Sequence, residues 1–299
     1  MKIKPNNNSN ISRIVHGHWR LADWKLSSQE ILKLTQQCVD LGITSFDHAD
    51  IYGDYSCESI FGEALSLKKS FRKDIQIISK CGIALLSEKF PHRKIQHYDY
   101  SYRHIISSVE KSLSNFDTDY IDLLLLHRPS PFFEPNEVAK AFSYLKQKGM
   151  VLEFGVSNFN HLQYETLQSY LDVKLITNQV EISPLCIDHF ENGNIDFFLK
   201  ERIKPMAWSP LAGGRVFSPK SEKDKKVIDT LQEVVEEMGV NSIDKIIYAW
   251  LLKHPAQIIP IIGSGKIERL QAAVEAQELE MSLEQWFKIY IASRGEALP

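Results

Sequence analysis

The chain has 299 residues, enough for two ordinary domains or for one large barrel. A hydrophobic share of 43% with 24% charged residues is that of a globular protein with a sizeable core, which excludes extended disorder. The net charge of −3 gives no bulk attraction for nucleic acid or an anionic membrane, so neither is expected as a partner.

The first ten residues are polar, with no apolar core of a signal peptide, and are read as an N-terminal segment ahead of a single domain over residues 11–299. No run approaches 18 apolar residues, so no membrane span is expected. The four cysteines, 38, 57, 81 and 186, form no CxxC pair and no ladder of spacings. A reducing cytoplasm is the simpler home for them. Cys81, beside Lys80, is either a thiol of lowered pKa or a passive residue at a strand end.

In chain order, residues 11–15 read as a strand running into Gly17 and His18. Ser27 with Glu30 forms a capping box that opens a helix through Asp40, stopped at Gly42. A strand at 43–46 then passes abruptly into Asp47-His48-Ala49-Asp50-Ile51-Tyr52-Gly53, and a helix follows over 57–67. A strand at 74–79 ends at Lys80. The irregular stretch 81–100 is long enough to be expected at a functional site. Helix 102–115 leads to the apolar strand 120–126, of the type buried in parallel sheets, which ends at His127. Helix 136–148, strand 151–156, helix 161–170, strand 175–180 and helix 188–200 continue the alternation. After them come strand 205–208, a Gly213-Gly214 loop, helices 224–239 and 242–253, strand 257–262, and helices 266–276 and 283–293.

Eight strands, each followed by helix, imply a parallel sheet with right-handed crossovers. The position where a dinucleotide-binding sheet would carry GxGxxG reads His16-Gly17-His18-Trp19, so the alternation points to an α/β fold of the closed (β/α)8 TIM-barrel type.

Such barrels place chemistry where strands end, and Asp47, Tyr52, Lys80 and His127 follow three adjacent strands. A phenol is a poor acid at neutral pH, and a nearby ammonium lowers its pKa. A carboxylate keeps that ammonium charged and aimed, while a neutral imidazole can orient a substrate oxygen. Together they describe a proton-donor site. Taken singly, Lys80 could snorkel at a strand end and His127 could satisfy backbone groups in a turn. The later strand ends carry Ser157, Asn158 and Gln179, suited to a neutral carboxamide, and Trp208, which either stacks on a flat ring or packs the barrel. Gly263-Ser264-Gly265-Lys266-Ile267-Glu268-Arg269 opens a helix with free N–H groups and two cations, as a phosphate site would.

The spacing Asp47-x4-Tyr52-Gly53, Lys80, Leu123-Leu124-Leu125-Leu126-His127-Arg128-Pro129 and Gly155-Val156-Ser157-Asn158-Phe159 resembles the aldo-keto reductase superfamily over nearly the whole chain. The resemblance implies an NADPH-dependent oxidoreductase that reduces an aldehyde or ketone. Tyr52 would be its general acid, Lys80 and Asp47 its tuning pair, and His127 the substrate-orienting group. It further implies Ser157, Asn158 and Gln179 on the nicotinamide carboxamide, Trp208 stacked, and Ser209, Leu211 and Gly213 along the pyrophosphate. Gly263, Ser264, Lys266 and Arg269 would lie at the adenosine 2′-phosphate. Many members carry Lys where Gly263 stands and Glu-Asn where Ala272-Ala273 stand, so Lys266 is expected to supply the cation. The short tail implies an open substrate site bounded by residues 81–100 and by Trp19, Trp24 and Tyr55, taking a small carbonyl compound.

Two rival readings use the same residues. His16-Gly17-His18 mimics the metal pair of barrel hydrolases, but the later strands end in Ser-Asn, Asn-Gln and Ile-Gly instead of further ligands, so no metal is expected. A cofactor-binding regulatory module, like the channel β subunits that resemble reductases, could keep all four residues.

Overall fold

The computed structural model describes residues 11–299; the polar segment expected over residues 1–10 lies outside the described residues. Eight parallel strands close into a barrel. They are β1 (Val15–Gly17), β2 (Ser45–Asp47), β3 (Gln76–Cys81), β4 (Ile121–Leu126), β5 (Val151–Ser157), β6 (Leu175–Glu181), β7 (Met206–Trp208) and β8 (Ile259–Ile262). Neighbours follow chain order and β1 closes on β8, with Val15 opposite Ile261. Around them run α1 (Ser28–Asp40), α2 (Cys57–Ser66), α3 (Tyr102–Phe116), α4 (Pro135–Gln147), α5 (His161–Gln168), α6 (Asn194–Glu201), α7 (Glu222–Met238), α8 (Ile243–Lys253), α9 (Ile267–Glu275) and α10 (Leu283–Arg294). The expected capping box at α1 is present, with Ser27 accepting from the Glu30 N–H and Glu30 accepting in return.

Several expected boundaries move. The first strand lies at Val15–Gly17, later than residues 11–15, because it pairs with β2 and β8 where those strands reach the inner layer. The single helix expected over 188–200 is broken into a four-residue turn, Asp188–Glu191, and α6, because Gly193 takes φ 83° between them. The stretch 81–100 is not wholly irregular: Ile83–Ala84 pairs antiparallel with His97–Tyr98.

Side chains alternate between two cores, as the period of a strand requires. Val15, Ile78, Leu123, Leu125, Met206, Ile259 and Ile261 fill the barrel interior. Residues of the opposite parity, such as Ile77, Leu124 and Leu126, pack outward against the helices. Gly155 lies beside Leu125 in the sheet, and a Cβ there would come within 2.7 Å of the Leu125 side chain and 2.9 Å of the Thr177 carbonyl. The glycine therefore makes room for a leucine inside the barrel.

The barrel has one irregularity that bears on its mouth. Between β5 and β6 the register shifts, so that Phe154 faces Leu175 while Val156 faces Asn178. The extra residue on β6 reverses its parity. Ile176 packs toward the barrel interior below the shift, and above it Gln179 stands beside Ser157.

Candidate active site

The interior face of the strands continues upward past the apolar layers and changes character at the C-terminal ends. Gly17, Asp47 and Ile78 lie side by side in the sheet, and Lys80 is two residues beyond Ile78 on the same face. His127 follows β4 and donates its backbone N–H to the Cys81 carbonyl at 3.0 Å. The alternation that fills the barrel with aliphatic side chains thus delivers a carboxylate, an amine and an imidazole to its mouth.

Lys80 is buried, at 1% exposure, and its ammonium donates to both Asp47 oxygens at 2.8 Å, to the His48 carbonyl at 2.6 Å and to the Tyr52 hydroxyl at 3.0 Å. Gln179 Nε2 adds a bond to Asp47 Oδ1 at 2.8 Å. Burial works against the Lys80 charge, but Asp47 and Tyr52 together hold its pKa above the ordinary value. The ammonium therefore persists across the physiological range.

Tyr52 differs from the sequence expectation. Burial pushes its phenol up, Asp47 adds to that, and Lys80 opposes it without prevailing, so the net shift is upward instead of downward. The sequence shows the ammonium but not the desolvation. The turn carrying Tyr52 is strained: Gly53, Asp54 and Tyr55 take φ of 59°, 52° and 61° in succession. A Cβ at Gly53 would lie 2.7 Å from Cys57 Sγ. Two non-glycine residues in left-handed geometry beside this phenol are a cost that the surrounding packing has to offset.

The ring of His127 stands 5.9 Å from that of Tyr52. Burial, then Lys80 and Arg128, hold the imidazole well below its usual pKa, so it is neutral. Its Nδ1 is sealed off without a partner among the described residues, which leaves Nε2 as the nitrogen able to reach a ligand.

Above these residues opens a cavity of about 690 Å³. Asp47, Tyr52 and His127 line one part of it, Ser157, Asn158, Gln179 and Trp208 another, and Ser209, Leu211, Gly213, Gly263, Ser264 and Arg269 a third. Ser157 donates to the Gln179 carbonyl at 2.9 Å, and Asn158 Nδ2 donates to Ser157 Oγ at 2.8 Å. Trp208 is tied by its indole N–H to Asn158 Oδ1 at 3.0 Å, so the ring is fixed in orientation. Gly213 and Gly214 take φ of 65° and 97°, with open space where their Cβ atoms would stand, and a Cβ at Gly263 would meet nothing nearer than 3.6 Å. These glycines leave a cradle beside the hydroxyl of Ser264 and the guanidinium of Arg269. Amide and hydroxyl groups, an oriented flat ring, a glycine cradle and a cation suit, in that order, the carboxamide, ring and phosphates of a nicotinamide dinucleotide.

Three expected site residues fall elsewhere. Trp24 does not line the cavity; it stacks on His16 at 5.4 Å, beneath Gly265. Tyr55 is also outside the lining, because the left-handed turn aims its hydroxyl at the Leu85 N–H and at Arg93. Lys266 caps the start of α9, its N–H donating to Ser264 Oγ at 3.2 Å, and is not in the lining, whereas Arg269 is. Trp19 does line the cavity, joined by Ile51, Asp54 and Leu85. Arg128 lines it too; the sequence presents that residue only as part of a motif.

The remaining polar residues of the Asp47–Gly53 segment, His48 and Asp50, lie outside the cavity lining, and His48 Nδ1 and Asp50 Oδ1 have no hydrogen-bond partner among the described residues. Asp50 is partly buried, and desolvation, with Glu58 adding to it, pushes its carboxyl well up. His48, His18 and His16 form a buried chain: His48 Nε2 to His18 Nδ1 at 2.9 Å, His18 Nε2 to His16 Nδ1 at 3.2 Å, and His16 Nε2 to the Ser264 carbonyl at 2.9 Å. A carbonyl only accepts, so His16 carries its proton on Nε2, and the same logic runs back along the chain. Among the described residues no group of three His, Cys, Asp or Glu side chains is arranged to hold a metal ion. Burial pushes the Cys81 thiol well up, as in a passive residue.

The model of the Aldo/keto reductase family matches residues 13–293. The chain belongs to that family. It is 49% identical to the oxidoreductase YcsN of Bacillus subtilis, covering 96% of each protein, and 48% identical to the oxidoreductase YdhF of Escherichia coli, covering 96% of this chain and 95% of the other. A 6-dehydroglucose reductase of Agrobacterium fabrum is 39% identical over 96% of this chain and 95% of that one. Among solved structures, the thermostable aldo-keto reductase Tm1743, in complex with the inhibitor epalrestat, superposes with a TM-score of 0.79 at 27% identity, covering 94% of this chain and 95% of that chain. This aldo-keto reductase is therefore an oxidoreductase of the carbonyl-reducing type, with a cavity for a nicotinamide cofactor. No helix among the described residues is long and apolar enough to cross a membrane.

Proposed function

We propose that this protein reduces an aldehyde or ketone to the alcohol with NADPH, and that Tyr52 is the general acid. The observation that carries this reading is the buried Lys80 ammonium bonded at once to Asp47 and to the Tyr52 hydroxyl under an open cavity. The bound cofactor supplies the hydride that adds to the carbonyl carbon, and every other task falls to the chain.

Tyr52 gives its proton to the carbonyl oxygen as that oxygen gains negative charge. The raised pKa keeps the phenol protonated at rest. A developing alkoxide is a stronger base than a phenolate, so the transfer runs downhill. The phenolate left behind lies 3.0 Å from an ammonium that is already in place, so no reorganisation is needed at the moment of reaction. Asp47 and Gln179 hold that ammonium on its axis. The neutral His127 donates from Nε2 to the same carbonyl oxygen and aims it at Tyr52. Afterwards Tyr52 takes a proton back from solvent.

Ser157, Asn158 and Gln179 would hold the carboxamide of that cofactor, Trp208 its ring, and Ser209, Leu211 and Gly213 its pyrophosphate. Ser264 and Arg269 would hold the 2′-phosphate, with Lys266 outside the lining. The 6-dehydroglucose reductases among the relatives act on an oxygen-rich carbonyl compound by name, which accords with a cavity of mixed polarity. Tyr52→Phe tests the assignment: NADPH binding followed by tryptophan fluorescence should stay nearly intact while turnover of an aldehyde panel falls by about 10²–10⁴-fold. Unchanged turnover would refute the role of Tyr52. Equal affinity for NADPH and NADH would refute the 2′-phosphate site.

A further inference from the structure

We propose that Arg128 makes the cavity selective for carbonyl substrates that also carry a carboxylate. The inference rests on the reductase reading and adds the class of substrate to it. Arg128 is held from behind. The Tyr100 hydroxyl accepts from its backbone N–H at 3.0 Å and donates to its carbonyl, and Pro129 follows. That pinned backbone presents the side chain to the cavity wall beside His127. The guanidinium lies 5.6 Å from the centre of the Trp208 ring, and its charge is felt by both Tyr52 and His127.

Arg128 is partly buried, yet among the described residues its guanidinium has no hydrogen-bond acceptor and no carboxylate within ion-pair distance. Arg72, also partly buried, by contrast pairs with Asp122 at 2.6 Å. The acidic groups around it do not serve. Asp47 is bound to Lys80, and Asp54 stands exposed at the rim. Glu181 is near enough for Arg128 to lower its pKa, but burial raises that carboxyl and the two form no ion pair. A planar five-donor fork that has lost part of its water and gained no counter-ion is prepared for a carboxylate, which it can take in two parallel hydrogen bonds.

The cofactor phosphates are a poor alternative. Arg128 follows β4 whereas Ser264 and Arg269 follow β8, and in the order of the closed barrel these two strands are opposite each other. The end of the cavity that Arg128 faces is the end of Tyr52 and His127, where the carbonyl is reduced.

The test compares 4-carboxybenzaldehyde with its methyl ester, two aldehydes of similar shape that differ by one charge, on the wild-type protein and on Arg128→Met and Arg128→Lys. We expect the wild type to favour the acid in kcat/KM, Arg128→Met to cut that preference at least about tenfold, and Arg128→Lys to restore part of it. Tryptophan fluorescence titrations of the acid, with and without NADP+, should give a Kd raised to a similar degree in Arg128→Met. If neither aldehyde is turned over, the reductase reading fails while the titration still decides the role of Arg128. A wild-type protein that favours the ester, or a preference unaltered in Arg128→Met, overturns the proposal. So does an NADPH affinity that falls in parallel, which would assign the guanidinium to the cofactor. An equal loss with glyceraldehyde, a neutral polyol, would make Arg128 a hydroxyl donor and overturn it as well.

Discussion

Replacing Lys80 with methionine should cost about 3–5 kcal/mol of stability, and the reason lies in what stays behind. Lys80 fills a space at 1% exposure and its ammonium satisfies both Asp47 oxygens, the His48 carbonyl and the Tyr52 hydroxyl. Methionine preserves most of the volume, so little of the loss comes from packing. Asp47, 3% exposed, is left as a carboxylate whose one remaining side-chain donor is Gln179 Nε2. For a domain with about 5–15 kcal/mol in total, that is a large fraction. The double variant Asp47→Asn, Lys80→Met removes both charges and leaves an amide that Gln179 can still reach. It should recover at least about 1–2 kcal/mol relative to Lys80→Met, because an unpaired buried charge costs more than a neutral pair of similar shape. Urea unfolding followed by tryptophan fluorescence measures all four corners of the cycle. Turnover should be lost in every variant, since none retains the ammonium beside Tyr52 together with its carboxylate. If Lys80→Met costs less than about 1 kcal/mol, or if the double variant is no more stable than that single one, the ion pair is not what holds this layer together.

Four buried histidines and the partly buried His254 make stability fall in acid. Burial holds His16 and His254 down to about 4, and His18, His48 and His127 well below the ordinary value, so the unfolded chain binds protons that the folded one refuses. The histidine contribution is therefore complete above about pH 6.5 and lost as pH falls toward 4, by at most about 1.4 kcal/mol per pH unit for each fully buried histidine and by less for His254, which is partly exposed to solvent screening. Urea midpoints that stay flat between pH 7 and 5 would contradict this, and His18→Leu should make the acid limb shallower. Arg269→Ala should weaken NADPH at least about tenfold in fluorescence titrations while barely moving NADH, because only one of the two carries the extra phosphate. Gly62→Ala should destabilise by about 1–3 kcal/mol or more, since its Cβ would fall 1.9 Å from the Asn115 carbonyl and push α2 from α3. A near-neutral urea midpoint would show that this helix contact yields.

How much of the site can be read from the chain is a question of parity. Side chains two apart on a strand share a face, so once Ile78, Leu123 and Met206 are placed in the barrel interior, Lys80, His127 and Trp208 follow on that face. For Asp47, Lys80, His127, Ser157 and Trp208 the alternation suffices, and small errors in strand limits do no harm because they leave parity intact. Parity cannot supply what happens off the strand or between strands. Gln179 stands beside Ser157 only because the register shift on β6 inserts a residue; without it Asn178 would stand there, and Asn178 instead donates outward to the Phe159 carbonyl at 2.7 Å. Tyr55 is expected to bound the substrate site, but three left-handed residues in succession turn it away. The upward shift of Tyr52 needs the burial around it, which no local pattern encodes. Arg128 shows the limit most clearly. One residue past His127 it should face outward by parity, as Leu124 and Leu126 do, but the strand has already ended and the Tyr100 clamp sets its direction. A side chain freed from the alternation at that point can be aimed by whatever the neighbouring loop supplies. The layer that does chemistry is thus fixed by the strands, while the cation proposed to choose the substrate is fixed by residues 81–100, and substrate preference can change there without disturbing Tyr52, Lys80 or Asp47.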